Sequence, residues 1–243
     1  MAKTIQCSFE RYEKKYFITP VQQKYLLSRM QPYLKEDDFG KYTICNLYYD
    51  TIDWQLIRAS IEKTAYKEKL RVRSYGVPTE NSKIFVELKK KCAGIVYKRR
   101  ITTEVYRVEP FLCGLMPDSY YGQIGREISW FQKLYHSAPK VFIAYDRMAY
   151  AGIDDPNLRI TFDTNMRWRD TDLDLCLGDY GQPLLTTEQV LMEIKMPGAC
   201  PLWLSHLLSE TDVFPTSFSK YGTCYREHIL KNEMNQKEAF RCA

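Results

Sequence analysis

The sequence predicts a β-rich α+β domain of about eight antiparallel strands closed into a barrel, with helices packed outside it. Three observations carry this reading. Runs of β-branched and aromatic residues recur along the chain, which contains 19 Tyr and is 14% aromatic, a composition suited to pleated sheet. Several of these runs alternate basic with apolar residues. In Lys69-Leu70-Arg71-Val72-Arg73 the cations stand at every second position, so one face of such a strand is apolar and the other positive. Helical segments lie between and after the runs, and their apolar residues need a sheet surface to cover.

The elements follow in order. Phe9 to Ile18 reads as the first strand. Thr19-Pro20 then supplies an N-cap and a proline in the first turn, opening a helix to about Leu34. Tyr42 to Tyr49 is a strand and Trp54 to Ser60 a short helical segment. Tyr66 to Tyr75, Ile84 to Lys91 and Val96 to Val105 form a meander, punctuated by the turn residues Gly76-Val77-Pro78 and Cys92-Ala93-Gly94. Glu109 to His136 reads as helical, with Trp130, Phe131 and Leu134 on its apolar side. Strands return at Lys140 to Ala151, Leu158 to Arg167 and Val190 to Met196, the last ended by Pro197-Gly198. Two helices close the chain, Leu202 to Ser209 and Phe218 to Asn232. No linker, low-complexity tract or internal repeat interrupts 1–243, so a single domain is expected.

Composition excludes several function classes. With 45% hydrophobic and 27% charged residues the chain is an ordinary globular one. A net charge of +5 and a pI near 8.6 are too modest for general affinity to nucleic acid. No apolar h-region follows the N-terminus. No stretch approaches the length of about 18 apolar residues that spans a bilayer, so no membrane insertion is expected. The 8 cysteines contain no C-x-x-C pair, which argues against zinc or a disulfide framework and for reduced thiols in the cytoplasm. His136, His206 and His228 are far from any Ser or Cys motif, so no nucleophile–base pair is indicated.

The alternation returns at Val86-Glu87-Leu88-Lys89, Val96-Tyr97-Lys98, Tyr145-Asp146-Arg147 and Arg159-Ile160-Thr161-Phe162-Asp163. For any one strand the default is a wet outer face. Taken together the set is enriched in Arg and Lys, and the apolar residues of the helices (Leu26, Leu27, Trp130, Phe131, Leu204, Leu207) must cover the outside of the sheet. The cations then point into a closed barrel. A buried cluster of unpaired cations costs several kcal/mol per charge, so the interior must be hydrated or hold an anion; a phosphate chain is the anion inferred. Carboxylates lie in phase with these cations at Glu13, Glu87 and Glu193. Each can form a plain ion pair or hold Mg²⁺ or Mn²⁺ against phosphate oxygens. Glu193 is the one selected as a metal ligand.

The ordered segments Arg11-x-Glu13-x-Lys15-Tyr16, Leu70-Arg71-Val72-Arg73-Ser74-Tyr75-Gly76, Phe85-Val86-Glu87-Leu88-Lys89, the lone Lys98, Tyr145-Asp146-Arg147, Leu158-Arg159-Ile160-Thr161-Phe162-Asp163, Glu193-Ile194-Lys195 and Ser219-Lys220-Tyr221 carry a family likeness. Together they resemble the polyphosphate polymerase (VTC) domain of the triphosphate tunnel metalloenzyme, or CYTH-like, superfamily. The resemblance implies an eight-stranded antiparallel barrel forming a tunnel, and Mn²⁺- or Mg²⁺-dependent chemistry on a triphosphate. In such polymerases the terminal phosphoryl group of ATP passes to a growing polyphosphate chain. By position, Lys15, Arg71, Arg73, Lys89, Lys98, Arg147, Arg159 and Lys220 would hold phosphates. Tyr145 and Ser219 would add hydroxyl contacts, and Glu193 would hold the metal. Arg71, Arg73, Lys89, Lys98 and Glu193 are the residues expected to carry the chemistry.

Two positions depart from the family pattern. Hydrolases of the superfamily open with Glu-x-Glu-x-Lys, and Arg11 replaces the first Glu here, which favours holding phosphate over activating water. Fungal polymerases carry a histidine two residues past the Lys89 position, where this chain has Lys91. A tripolyphosphatase or nucleoside triphosphatase on the same fold, and a non-catalytic module binding polyphosphate, stay open beside the polymerase. Whether a protein partner switches the activity is left open as well.

Overall fold

The structure is a computed structural model that describes residues 12–232. The expected strand start at Phe9, the substitution at Arg11 and the segment 235–243 lie outside the described residues. The chain folds into two compact units that interleave in sequence. One takes the described residues up to Tyr42 with Asp146–Asn165 and Leu185–Phe218, and the other takes Thr43–Tyr145, Met166–Leu184 and the residues from Ser219 onward.

The first unit contains β1 (Tyr12–Ile18), α1 (Pro20–Met30) and the opening half of β2 (Leu34–Asp50). The second unit takes up β2 and adds α2 (Gln55–Ile61), β3 (Tyr66–Tyr75), β4 (Lys83–Cys92), β5 (Ile95–Glu104), α3 (Val108–Leu112) and α4 (Gly122–Tyr135). Strands β6 (Ala138–Gly152) and β7 (Arg159–Arg169) each contribute to both units. The two-residue β8 (Gln182–Pro183) belongs to the second unit, whereas β9 (Val190–Met196), α5 (Leu202–Glu210) and β10 (Pro215–Thr216) belong to the first. Helix α6 (Lys220–Cys224) runs into a π-helical turn, Tyr225–Ile229, in the second.

The expected eight-stranded closed barrel is corrected. The α+β antiparallel architecture is present, but ten strands follow the hydrogen-bonded path β10-β1-β9-β7-β6-β2-β3-β4-β5, with β8 beside β7. This path is open, since β10 and β5 do not pair among the described residues. The two uncounted strands are two residues long and each contains a proline, too short for an alternation of period two to register. A proline at one end strand and the run Lys98-Arg99-Arg100 on the other are the residue types that blunt sheet edges.

Local chemistry explains most boundaries. Thr19 caps α1 through a capping box with Gln22, and Pro20 occupies the first turn. The helix ends at Met30 rather than near Leu34, because Leu34 is already the first residue of β2. The polar stretch Lys35-Glu36-Asp37-Asp38 lacks alternation, so this half of the strand gave no signal. Glu109 to His136 is not one helix: α3 and α4 are separated around Gly114 and Pro117, with Gly114 and Gly122 at positive φ. Ala93 and Gly94 both have positive φ between β4 and β5, the conformation of a two-residue type I′ hairpin. That turn fixes the pairing of Cys92 with Ile95 and of Lys89 with Lys98. The cysteines among the described residues are free.

Each unit has its own core. In the second, Leu70, Val72, Ile84, Val86, Leu88 and Ile101 of β3, β4 and β5 pack with Phe111, Ile128 and Phe131 of the covering helices. In the first, Tyr16, Ile160, Phe162, Met192 and Ile194 pack with Leu26 and Met30 of α1 and with Leu204, Leu207 and Leu208 of α5. Trp130 and Leu134 depart from expectation and are exposed; α4 turns Ile128 and Phe131 inward instead. Within each unit the helices therefore cover the apolar face of the strands, and the alternating cations lie on the opposite face.

Candidate functional site

In the second unit the strand register builds the charged face row by row. Tyr48, Arg71, Glu87 and Arg100 are neighbours across β2, β3, β4 and β5. One step along lie Asn46, Arg73, Phe85 and Thr102; one step the other way lie Lys69, Lys89 and Lys98. Glu87 is the one acidic residue in these rows.

Its carboxylate is 2% exposed and gathers three cations. Arg71 donates from Nε to Oε2 at 2.7 Å, with Nη2 at 2.6 Å from the same oxygen. Arg100 donates from Nε to Oε1 at 2.7 Å and makes a second, shorter contact through Nη2. Lys98 Nζ lies 3.3 Å from Oε1. Burial by itself would raise the Glu87 pKa, but Arg71, Arg73, Lys98 and Arg100 hold it well below the usual carboxylate range. Lys98 is lowered, by burial and by the guanidinium groups of Arg71, Arg73 and Arg100, against the pull of Glu87. Arg73, itself buried, donates to Asn46 Oδ1 at 2.9 Å and to Tyr145 Oη at 3.3 Å. Such a face holds more positive than negative charge, and in a partly buried setting that excess favours an anion.

Two further segments complete it. Lys69 Nζ lies 3.5 Å from Ser219 Oγ, and Lys220 Nζ sits 4.3 Å from the centre of the Tyr145 ring, a cation–π distance. Ser219 caps α6 by accepting from the Gly222 N–H. Tyr221 ties this helix down: it stacks on Tyr48 at 4.6 Å and donates to Asp50 Oδ2 at 2.8 Å. Asp50 is fully buried and also accepts from the N–H groups of Thr51, Leu56 and Ile57. Tyr48 in turn accepts from Arg71 Nη1 at 3.3 Å. The Tyr221→Phe variant is expected to lose about 1.5–3 kcal/mol, the usual value of a hydrogen bond to a charged group. A denaturant midpoint equal to that of the parent would show that Asp50 does not depend on this hydroxyl.

In the first unit, Lys15 pairs with Glu193 and Glu193 with Thr161; Glu13 pairs with Lys195 and Lys195 with Arg159. Glu193 is 9% exposed. It contacts Lys195 through Oε1 and lies 4.0 Å from Lys15 through Oε2. Lys15 is also 3.4 Å from Glu13 and donates to the Phe218 carbonyl at 3.1 Å. Arg147 donates from Nε and Nη2 to the two oxygens of Asp163, at 2.6 and 2.8 Å. Here positive and negative groups are closely matched, unlike the face around Glu87.

The fit to a divalent metal depends on its binding mode. Among the described residues no group of three His, Cys, Asp or Glu side chains is placed to hold a metal ion, so a cage built by protein alone does not fit. The mode in which one or two carboxylates share the ion with substrate phosphates does fit. Glu193 and Glu13 both reach Lys15. Thr161, beside Glu193, keeps a buried hydroxyl oxygen without a hydrogen-bond partner.

The structure thus gathers Arg71, Arg73, Lys89, Lys98, Tyr145, Ser219 and Lys220 in the second unit, and Lys15, Arg147, Arg159 and Glu193 in the first. Sequence reasoning missed Arg100, Asn46 and Tyr48, and gave no role to Thr161 and Asp163, which stand in its Arg159–Asp163 segment. Arg100 carried a signal, since it follows Lys98 at the spacing that keeps the same face. The neutral side chains carried none.

These observations define an α+β protein whose antiparallel sheet carries a basic strand face around Glu87. The chain belongs to the VTC-domain family, whose model matches residues 10–229. A search of curated proteins returns no match. Among solved structures, a proposed adenylyl cyclase from Hippeastrum, described as having a dominant triphosphatase activity, aligns with a TM-score of 0.53 at 18% identity, covering 88% of this chain and 94% of its own. A proposed adenylate cyclase from Vibrio parahaemolyticus aligns with a TM-score of 0.47 at 12% identity, over 90% of this chain and 98% of its own. At 18% identity the likeness to the Hippeastrum protein is one of fold. No helix among the described residues is long and apolar enough to cross a membrane. Membership of the VTC family supports a function related to triphosphate or polyphosphate.

Proposed function

We propose that this chain is a metal-dependent polyphosphate polymerase, an ATP:polyphosphate phosphotransferase acting as one domain in the cytoplasm. The observation that carries it is the excess of cations around the single carboxylate of Glu87, on the strand face turned away from the apolar core. Membership of the VTC family supports the choice of substrate. A terminal oxygen of the polyphosphate chain attacks the γ-phosphorus of ATP; the bond from that phosphorus to the β–γ bridging oxygen breaks, and ADP leaves with the bridging oxygen. No protein nucleophile is needed, because such transfer depends on positioning and charge neutralisation.

Arg71, Arg73, Lys89 and Lys98 neutralise the phosphates in this reading, with Arg able to contact two oxygens at once. Lys15, Arg147, Arg159 and Lys220 hold further phosphates, and Tyr145 and Ser219 add hydroxyl contacts. Glu193, with Glu13 and phosphate oxygens, would hold Mn²⁺ or Mg²⁺. When bound, the ion would supply charge compensation to the phosphoryl group being transferred.

The test is incubation of the purified chain with ATP and Mn²⁺ or Mg²⁺, reading polymer length on a gel beside free phosphate. Long chains are expected. Phosphate released without polymer would replace the polymerase by a hydrolase, the reading that the triphosphatase activity described for the Hippeastrum protein favours. Tight tripolyphosphate binding with neither product would leave a binding module. Arg71→Ala and Lys89→Ala are each expected to weaken triphosphate binding, by about tenfold for every 1.4 kcal/mol of lost contact. Glu193→Ala is expected to remove metal-dependent turnover; unchanged turnover in that variant would end its metal role.

A further inference from the structure

Helix α6 is five residues long, too short to hold its shape without tertiary support. Yet its start carries two side chains of the basic face: Lys220 Nζ lies over the Tyr145 ring, and Ser219 Oγ lies beside Lys69 Nζ. A lysine ammonium rides on a flexible four-carbon stem, so its place depends on how firmly the backbone beneath it is held. Two bonds close the turn locally. The Gly222 N–H donates to the Ser219 hydroxyl at 3.2 Å and the Thr223 N–H to its carbonyl at 2.7 Å. A Cβ at position 222 would stand 3.2 Å from Ser219 Cβ and Oγ, so glycine lets the turn close without displacing the cap. These bonds shape the turn but do not fix where it sits on the sheet.

That task falls to Tyr221, the next residue after Lys220. It is buried and is gripped at both ends. Its hydroxyl donates to Asp50, and its ring stacks on Tyr48. The Asp50 end is firm for an independent reason. Helix α2 begins at Trp54, which has positive φ and gives no side-chain cap, and Asp50 supplies the missing acceptors to the Leu56 and Ile57 N–H groups. Burial and the Asp50 carboxylate hold the Tyr221 phenol far above its ordinary pKa, so it stays a donor. The Tyr48 end belongs to the basic face itself, since the Tyr48 hydroxyl accepts from Arg71 Nη1. One side chain therefore ties the backbone under Lys220 to a buried anchor and to a neighbour of Arg71.

We infer that Tyr221, held by Asp50 and Tyr48, is a positioning residue that sets Lys220 and Ser219 against the ligand. This rests on the proposed function, because it takes a phosphate chain to be what Lys220 meets. It assigns a part in binding to three residues, Tyr221, Asp50 and Tyr48, that touch no phosphate in that reading.

The experiment is a double-mutant cycle on tripolyphosphate affinity, measured by calorimetry on the full chain, with the fold of each variant checked by circular dichroism. In the parent, Lys220→Ala should weaken binding about tenfold, the worth of one charged contact. In a Tyr221→Phe background the same substitution should cost only about twofold, because a lysine already out of place has little left to lose. Tyr48→Leu removes the stacking partner but keeps the bond to Asp50. It should shrink the Lys220 factor likewise, and it decides the matter if Tyr221→Phe does not fold. Ile128→Ala on α4 truncates the core on the opposite face at a comparable cost in stability, and in that background Lys220→Ala should keep its full tenfold effect. A merely structural role for Tyr221 would leave the Lys220 factor the same in every folded background, and that result overturns the inference. So does an equal shrinkage in Ile128→Ala, or a Lys220→Ala variant that binds as the parent does. In each of those cases the parent still binds tripolyphosphate and the proposed function stands; a parent that does not bind it removes both.

Discussion

Replacing Glu87 by glutamine is expected to cost about 3–5 kcal/mol of folding stability, the range seen when one member of a buried ion pair is removed. The carboxylate is 2% exposed, and Arg71, Lys98 and Arg100 all rest on it. The amide keeps the shape but leaves those cations without a counter-charge. The pH dependence has a definite sign. Because the folded-state pKa of Glu87 lies below its unfolded value of about 4.3, its contribution is fully present above that pH and is lost as pH falls below it towards the depressed native value. The stability gap between parent and variant, read from denaturant midpoints, should therefore be widest near neutral pH and shrink on acidification. Tripolyphosphate should restore part of the loss, since an anion can replace the missing charge. A neutral-pH midpoint matching that of the parent would mean that the cations find their counter-charge elsewhere.

The second large effect is expected at Asp163. This carboxylate is fully buried, and Arg147, 12% exposed, binds both its oxygens. Asp163→Asn should destabilise the chain by about 3–5 kcal/mol, and replacing both residues by apolar ones of similar volume should recover most of that. Chemical denaturation of the two variants checks this. A single variant that stays within about 0.5 kcal/mol of the parent would remove the structural role and leave Arg147 to phosphate alone. The comparison matters for the site, because two donors of Arg147 are already engaged by Asp163, whereas the face around Glu87 keeps a surplus of cations over carboxylates.

Much of this was legible in the sequence. The alternation in Lys69-Leu70-Arg71-Val72-Arg73 assigned two faces to the strand, and the structure puts Leu70 and Val72 in the core and the cations opposite. The Thr19-Pro20 start and the Ala93-Gly94 turn were legible because capping and positive φ are local properties of the residues involved. Where local signals are weak the reading stopped short. The polar first half of β2, the proline-bearing two-residue strands and the break between α3 and α4 all lack the periodicity that identifies an element.

By itself, then, the sequence determined which residue types lie on which side of each strand and where several turns and caps fall, since both depend on backbone periodicity and neighbours along the chain. Only the tertiary structure decided that Glu87 serves Arg71 and Arg100 at once and that Asp163 answers Arg147. It also decided that the sheet path stays open. These are matters of register and pairing between strands far apart in sequence, and a one-residue slip would exchange every one of those partners.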